Sequence, residues 1–113
     1  MLTEYAFDTE AFERDARIAK RIPAEDHRAV FRIANGIRNN FVLLADFCLE
    51  KSGEYLFSTG PIKPGHSAMY GYYKKDLSPG RYSCRVLFYA VDEDSGEILC
   101  SLKKDAKLLV RRS

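Results

Sequence analysis

Residues 77–84 read LSPGRYSC, and this stretch decides how the rest of the chain is interpreted. A Gly-x-Tyr-x-Cys sequence after a proline-containing corner is typical of the start of the penultimate strand of a β-sandwich. In that setting the tyrosine packs inward and its hydroxyl donates a hydrogen bond to the preceding loop. We therefore predict a strand that begins at Tyr82, with the Tyr82 hydroxyl bonded to the corner and Cys84 facing the core.

The segments on either side of this corner alternate with the period of two that strands require. Every second side chain of residues 41–49 is apolar, which predicts the central core strand there. Residues 28–34 alternate in the same way, because successive side chains of a strand point to opposite faces. The inward set is Ala29, Phe31 and Ile33, and the outward set is Arg28, Val30 and Arg32.

Turn signals separate these strands about every 8 to 12 residues, and no convincing crossover helix interrupts them, as in a β-sandwich. Strands are expected at residues 16–22, 27–34, 41–50, 54–58, 68–74 and 82–91, with 98–102 and 107–111 completing the sheet. The sequence therefore predicts an all-β fold, an antiparallel sandwich of about seven strands. A small barrel is the main alternative.

The length and composition fit one globular domain. The chain has 113 residues, of which 46% are hydrophobic and 30% charged, enough for one core and too few for two. We assign residues 16–113 to the domain and residues 1–15 to an irregular leader or linker.

The charge and the apolar runs bear on possible partners. A net charge of +2 is too small for the electrostatic footprint of a nucleic-acid binder. No apolar run is long enough for a signal peptide or a membrane span, so we expect a soluble chain without direct membrane insertion, and the compartment stays open.

The three cysteines do not have the spacing of a zinc site or of a disulfide framework. Cys84 points inward, yet the earlier core strand offers it no cysteine partner, so the sandwich is expected to lack the inter-sheet disulfide. Cys48 lies on the face opposite the core set, and a bond between Cys48 and Cys100 stays open. Packing must then hold the two layers together, through Phe31, Phe47, Tyr82 and Phe88.

At this point the chain resembles a group of small bacterial immunoglobulin-like modules, which are often carried by envelope proteins of Gram-positive bacteria. The resemblance covers roughly residues 22–110. It rests on the stretches IPAE at 22–25, KSGE at 51–54, TGPIKPG at 59–65 and LSPGRY at 77–82, and on Asn35. It implies an immunoglobulin-like or fibronectin type III-like fold, a passive adhesive or spacer role, a cell-envelope or extracellular location, and no enzyme activity or cofactor.

Two positions depart from that pattern. Such modules usually place larger aliphatic side chains where this chain has Ala68 and Gly71. We expect either a bulge in this strand or another element that fills the gap.

The main candidate binding residues are two tyrosines in the same strand. If Gly71 and Tyr73 face the core, Tyr70 and Tyr72 stand together on the outer face. Exposed neighbouring tyrosines can anchor a protein interface or stack on sugar rings, and an edge strand that carries them is a site for strand addition. The competing interpretation is that both rings simply lie on the sheet surface.

The remaining acidic, histidine and cysteine residues favour structural roles over catalysis or metal binding. The acidic residues around Gly96 fail the EF-hand spacing, and a solvated hairpin turn explains them better. A glycosidase pair drawn from Glu50, Glu54, Asp92 and Glu97, and a thiol–imidazole dyad of Cys84 or Cys48 with His27 or His66, are less favoured. We therefore expect no catalytic residues, no metal and no cofactor.

Three functions from different classes remain. The favoured one is a non-enzymatic interaction or spacer module of a bacterial surface protein, which binds a protein partner or itself. The alternative is a carbohydrate-binding module that uses Tyr70 and Tyr72, and a hydrolase is third.

Overall fold

The computed structural model describes residues 7–112. Within them lie one short helix and seven strands: α1 Thr9–Asp15, β1 Arg21–Glu25, β2 Arg28–Ala34, β3 Val42–Leu49, β4 Tyr55–Ser58, β5 Ser67–Tyr72, β6 Gly80–Val91 and β7 Ile98–Val110. The all-β class is confirmed. Several strand bounds differ: the first strand is β1 rather than residues 16–22, and the last two expected segments form the single strand β7.

The strands form one mixed sheet in the order β4-β3-β6-β7-β1-β2-β5. Neighbouring strands are antiparallel except β1 and β7, which are parallel with Ile22 opposite Leu108, so the expectation of an antiparallel arrangement throughout is wrong at this pair. The sheet curls until it is nearly barrel-shaped, and its two edge strands, β4 and β5, come to face each other without hydrogen-bonded pairing. We call the gap between these two strands the seam.

The core lies inside this curled sheet. The inward sets predicted for residues 28–34 and 41–49 are all buried. Phe31 of β2 and Phe47 of β3 belong to strands that are not neighbours, yet their ring centroids are 4.9 Å apart. Aromatic packing across the interior therefore joins the two halves of the sheet, as the sequence predicts.

The corner before β6 is formed as predicted. The Tyr82 hydroxyl donates a 2.6 Å hydrogen bond to the carbonyl of Ser78, and the ring packs partly buried against the core. Cys84, two residues later, is buried.

The N-terminal segment differs from the expected leader, because residues 9–15 form a helix that packs on the domain. Asp8 caps α1 by accepting a hydrogen bond from the Ala11 N–H, and Phe12 is fully buried. The Phe12 ring packs edge-on against Phe41, with 6.1 Å between centroids. The core thus extends N-terminal to residue 16.

Candidate functional site

The two candidate tyrosines lie on the outer face of β5. Tyr70 is 55% exposed and Tyr72 is 62% exposed, whereas Gly71 and Tyr73 are buried, as the alternation predicts. The two rings contact each other nearly at right angles, with 5.6 Å between centroids and 75° between planes. The side chains therefore form one exposed aromatic unit.

The backbone N–H and C=O groups of Tyr70 and Tyr72 point away from the neighbouring strand β2. The Tyr73 N–H donates to the His27 carbonyl at 2.9 Å, which directs the Tyr73 peptide toward β2. Since successive residues of a strand direct their N–H and C=O groups to opposite edges, Tyr70 and Tyr72 direct theirs into the seam. No strand of the sheet pairs with β5 on that side.

Strand β2 supplies the rest of the exposed surface. Val30 stands opposite Tyr70 and Arg28 opposite Tyr72, and Val30 is 44% exposed. The pairing of β2 with β5 shifts by one residue between Val30 and Ile33, so this strand pair contains a bulge. Arg32 is exposed beside the bulge. We call Arg28, Val30, Arg32, Tyr70 and Tyr72 the tyrosine face.

The arginines of the tyrosine face have no ionic partner within the described part of the chain. The only ion pairs formed there by residues near β5 are Lys75 with Glu54 at 3.0 Å and His27 with Asp76 at 3.3 Å. Arg28 and Arg32 therefore leave the tyrosine face with positive charge, which is partly offset at Arg28 by the exposed carboxylate of Glu25 opposite it on β1. The outward position of these arginines was predictable from the period of β2, but their place beside the tyrosines was not.

A bulky ring fills the gap expected at Gly71. A β-carbon at Gly71 would overlap the ring of Phe57, which reaches across the seam from β4. Open hollows lie on either side of this contact. One, of about 680 Å³, is lined by β4, Tyr72 and Lys74, and the other, of about 510 Å³, is lined by Lys63 and residues 66–70.

A third hollow opens beside the tyrosine face at the β1–β2 turn. Its volume is about 460 Å³, and Arg28, Tyr72, Glu25 and Asp26 are among its lining residues. The turn itself is strained, since Asp26 and His27 have φ angles of 53° and 64°, in the left-handed region. The His27 ring is held by the Tyr73 carbonyl at 3.0 Å and by Asp76.

The acidic candidates separate into two groups. Glu50 and Glu54 flank the β3–β4 turn, while Asp92 and Glu97 flank the β6–β7 turn, so the groups lie at opposite ends of β6. The guanidinium group of Arg85 forms an ion pair with Glu50, with 3.6 Å between the nitrogen and the carboxylate oxygen. Asp92 accepts hydrogen bonds from the Ser95 N–H and hydroxyl, which lower its pKa. No group of three potential metal ligands comes together among residues 7–112.

The cysteines are all free thiols. Cys48 stands opposite Arg85 and Cys100 opposite Ala90, five positions apart along β6. That separation is about 17 Å, at ~3.4 Å per residue, far beyond disulfide reach. Burial raises the pKa of Cys84 to about 11.

No protein family, curated protein or solved structure matches this chain. No helix among the described residues is both long enough and apolar enough to cross a membrane. The site must therefore be interpreted from its own geometry.

Proposed function

We propose that this chain is a non-enzymatic interaction module with an immunoglobulin-like β-sandwich fold, which binds a protein partner through the tyrosine face. The fold assignment is supported by the strand order, in which β4, β3, β6 and β7 follow one another in one half of the curled sheet and β1, β2 and β5 in the other half. The Tyr82 hydroxyl bond to Ser78 supports it further.

The observation that carries the proposal is the exposed tyrosine pair on an edge strand. Interfaces are enriched in tyrosine and arginine, because these side chains bury a large area and still offer hydrogen bonds. Tyr70, Tyr72 and Val30 form a contiguous apolar surface with Arg28 beside it. Each tyrosine is more than half exposed, so the rings add little to the stability of the domain and are available for a partner.

The test compares association before and after removal of both rings. Sedimentation velocity of the purified chain measures self-association, and titration calorimetry measures the affinity for a purified partner. We expect Tyr70→Ser with Tyr72→Ser to weaken the association at least tenfold, since a central tyrosine contributes about 2 kcal/mol or more to an interface. Ile98→Ser is the matched control, because Ile98 is 59% exposed on the distant β6–β7 hairpin.

The proposal fails if the double variant associates as the unaltered chain does. It also fails if Ile98→Ser weakens the association equally. In the first case the rings are ordinary surface side chains, and in the second the effect is not specific to the tyrosine face.

A carbohydrate-binding module is the second candidate, and the hollow at the β1–β2 turn favours it. There the Tyr72 ring lies beside Arg28, Glu25 and Asp26, which together could stack on a sugar and hydrogen-bond its hydroxyls. A glycan array probed with the labelled chain tests this function. Retention of a glycan that is lost with Tyr72→Ser supports it, and no retained glycan removes it.

The bacterial surface location is part of the proposal and is supported by the resemblance alone. Fractionation of cells that express the tagged full-length gene product tests it. Recovery in the envelope or the medium supports a surface module, and recovery in the cytosol favours an intracellular binding protein.

A further inference from the structure

We infer that the partner of the tyrosine face is an acidic peptide segment, which adds to β5 as a further strand and lies in the seam. This inference rests on the proposed function and specifies the occupant of the same site. The backbone of β5 provides the hydrogen bonds for the added strand, and the basic side chains around it select acidic residues.

The hydrogen-bonding groups for an added strand are already in place. The N–H and C=O groups of Tyr70 and Tyr72 point into the seam, where they bond to no strand of the sheet. A peptide that takes these groups as its ladder gains main-chain hydrogen bonds and leaves the β2–β5 pairing unchanged. It has to widen the seam where the Phe57 ring packs on Gly71.

The sequence of β5 does not protect this edge. Natural edge strands are commonly blocked by lysine, proline, a covering loop or very short length. Strand β5 reads SAMYGY over six residues, with no charged residue and no proline. Strand β4, on the other side of the seam, has only four residues. The longer edge is therefore the one that can accept a strand.

Charge indicates what kind of strand binds. An added strand would place every second side chain on the tyrosine face, next to Tyr70 and Tyr72. Arg28 and Arg32 lie one strand further in, on the same face. Lys63 and Lys74 line the two hollows of the seam, and none of these four cations is ion-paired among the described residues, whereas Lys75 is already paired with Glu54.

A second copy of this chain fits the edge less well than an acidic segment does. Pairing of β5 with a second β5 would bring two sets of Arg28 and Arg32 onto the same face of one continuous sheet. A second copy paired in this way would bring more cations to this face and, in its β5, no carboxylate of its own, whereas the carboxylates of an acidic strand would attract the guanidinium groups. Charge complementarity therefore favours an acidic partner.

The experiment uses three nine-residue peptides that differ only in charge. Each has valine at every second position, and the positions between are all glutamate, all glutamine or all lysine. Binding of the fluorescently labelled peptides to the full chain is measured by anisotropy at low and at physiological salt. We expect the glutamate peptide to bind at least tenfold more tightly than the glutamine peptide, with the difference shrinking as salt increases.

Two pairs of variants separate the backbone contribution from the charge contribution. Tyr72→Pro removes the N–H that points into the seam, whereas Tyr72→Ala removes the same ring and keeps the N–H; we expect the proline variant to bind more weakly than the alanine variant. Arg28→Gln with Arg32→Gln should weaken the preference for glutamate, while Lys103→Gln, on distant β7, should leave it unchanged. Circular dichroism checks that each variant is folded.

Hydrogen exchange gives a readout that does not depend on folding of a variant. In the unaltered chain, the bound glutamate peptide should protect the amides of Tyr70 and Tyr72 from exchange. If the peptide binds without protecting these amides, strand addition is overturned. If all three peptides bind equally, the acidic specificity is overturned.

The two proposals fail in different ways. If no peptide binds and the chain forms dimers that Tyr70→Ser with Tyr72→Ser abolishes, the acidic-strand inference is wrong while the proposed interaction function stands, with a second copy as the partner. If the double tyrosine variant affects neither peptide binding nor association, both proposals are wrong.

Discussion

The ring of Phe57 on β4 lies directly over the α-carbon of Gly71 on β5, and this contact holds the two edges of the sheet together. The ring has little freedom to move away, since it stacks on Phe47 with 4.3 Å between centroids and an angle of 18°. Phe31 stacks on the Phe57 ring as well, with 5.9 Å between centroids. The seam is therefore held by side-chain packing in place of the hydrogen bonds that close a barrel.

Substitution of Gly71 by alanine tests this contact. The added methyl would overlap the Phe57 ring, and such overpacking lowers the free energy of unfolding by about 1–3 kcal/mol. Urea denaturation measures the change. A smaller side chain at position 57 should relieve the overlap. Gly71→Ala should therefore lower the free energy of unfolding by less in a Phe57→Leu background than in the unaltered chain. Equal costs in the two backgrounds would show that the ring does not limit the space at Gly71.

The hydroxyl of Tyr82 provides a second test of the fold. Tyr82→Phe keeps the ring and removes only the 2.6 Å hydrogen bond to the Ser78 carbonyl. We expect a loss of about 1 kcal/mol in the free energy of unfolding, as is usual for one hydrogen bond. Tyr89→Phe, which removes a hydroxyl on the outer side of the same strand, is the control and should have little effect. A similar loss in both variants would mean that the corner bond has no special importance.

The alternation of apolar residues is enough to predict the core of this protein. It identifies the inward side chains of β2, β3 and β6 because one face of each strand packs against the interior for most of its length. It fails for α1, whose seven residues bury only Ala11 and Phe12. Two buried positions are too few to distinguish a helical period from a strand period.

Pairing between distant strands is the part that the sequence cannot supply. The period within β1 does not reveal that β7 is its parallel neighbour, nor that Pro23 is tolerated because pairing with β2 begins only at Ala24. The same limit applies to the candidate site. Alternation predicts that Tyr70 and Tyr72 point outward, but only the strand order shows that β5 is an edge.

The thiols should differ in reactivity. Burial raises the pKa of Cys84 to about 11, so at pH 8 only about one molecule in a thousand carries the reactive thiolate there. Cys48 and Cys100 are partly exposed. We expect a thiol-specific reagent to label these two in the native protein and Cys84 only after unfolding, as measured by mass spectrometry of the digested protein. Rapid native labelling of Cys84 would show that this end of the core opens readily.

Asp15 should make the attachment of α1 depend on pH. Burial alone would raise the pKa of this carboxyl, but hydrogen bonds from Arg14, the Gly36 N–H at 2.9 Å and the Asn39 amide at 2.6 Å lower it overall. A pKa that is lower in the folded than in the unfolded chain stabilises the fold above the unfolded value, near 4. This stabilisation is lost as the pH falls from there through the folded value.

Asp15→Asn should therefore lower the free energy of unfolding at pH 7 by about 1.5–3 kcal/mol, the usual contribution of a hydrogen bond to a charged group. The difference from the unaltered chain should shrink as the pH falls below about 4 and through the folded pKa of Asp15, because both chains then become uncharged at this position. Urea denaturation at a series of pH values measures it. Glu13→Gln, which removes an exposed carboxylate from the same helix, should produce a much smaller change. A difference for Asp15→Asn that did not shrink at any pH below about 4 at which the chain stays folded would mean that the lost stability comes from packing and not from the charge, because only a charge effect disappears on protonation.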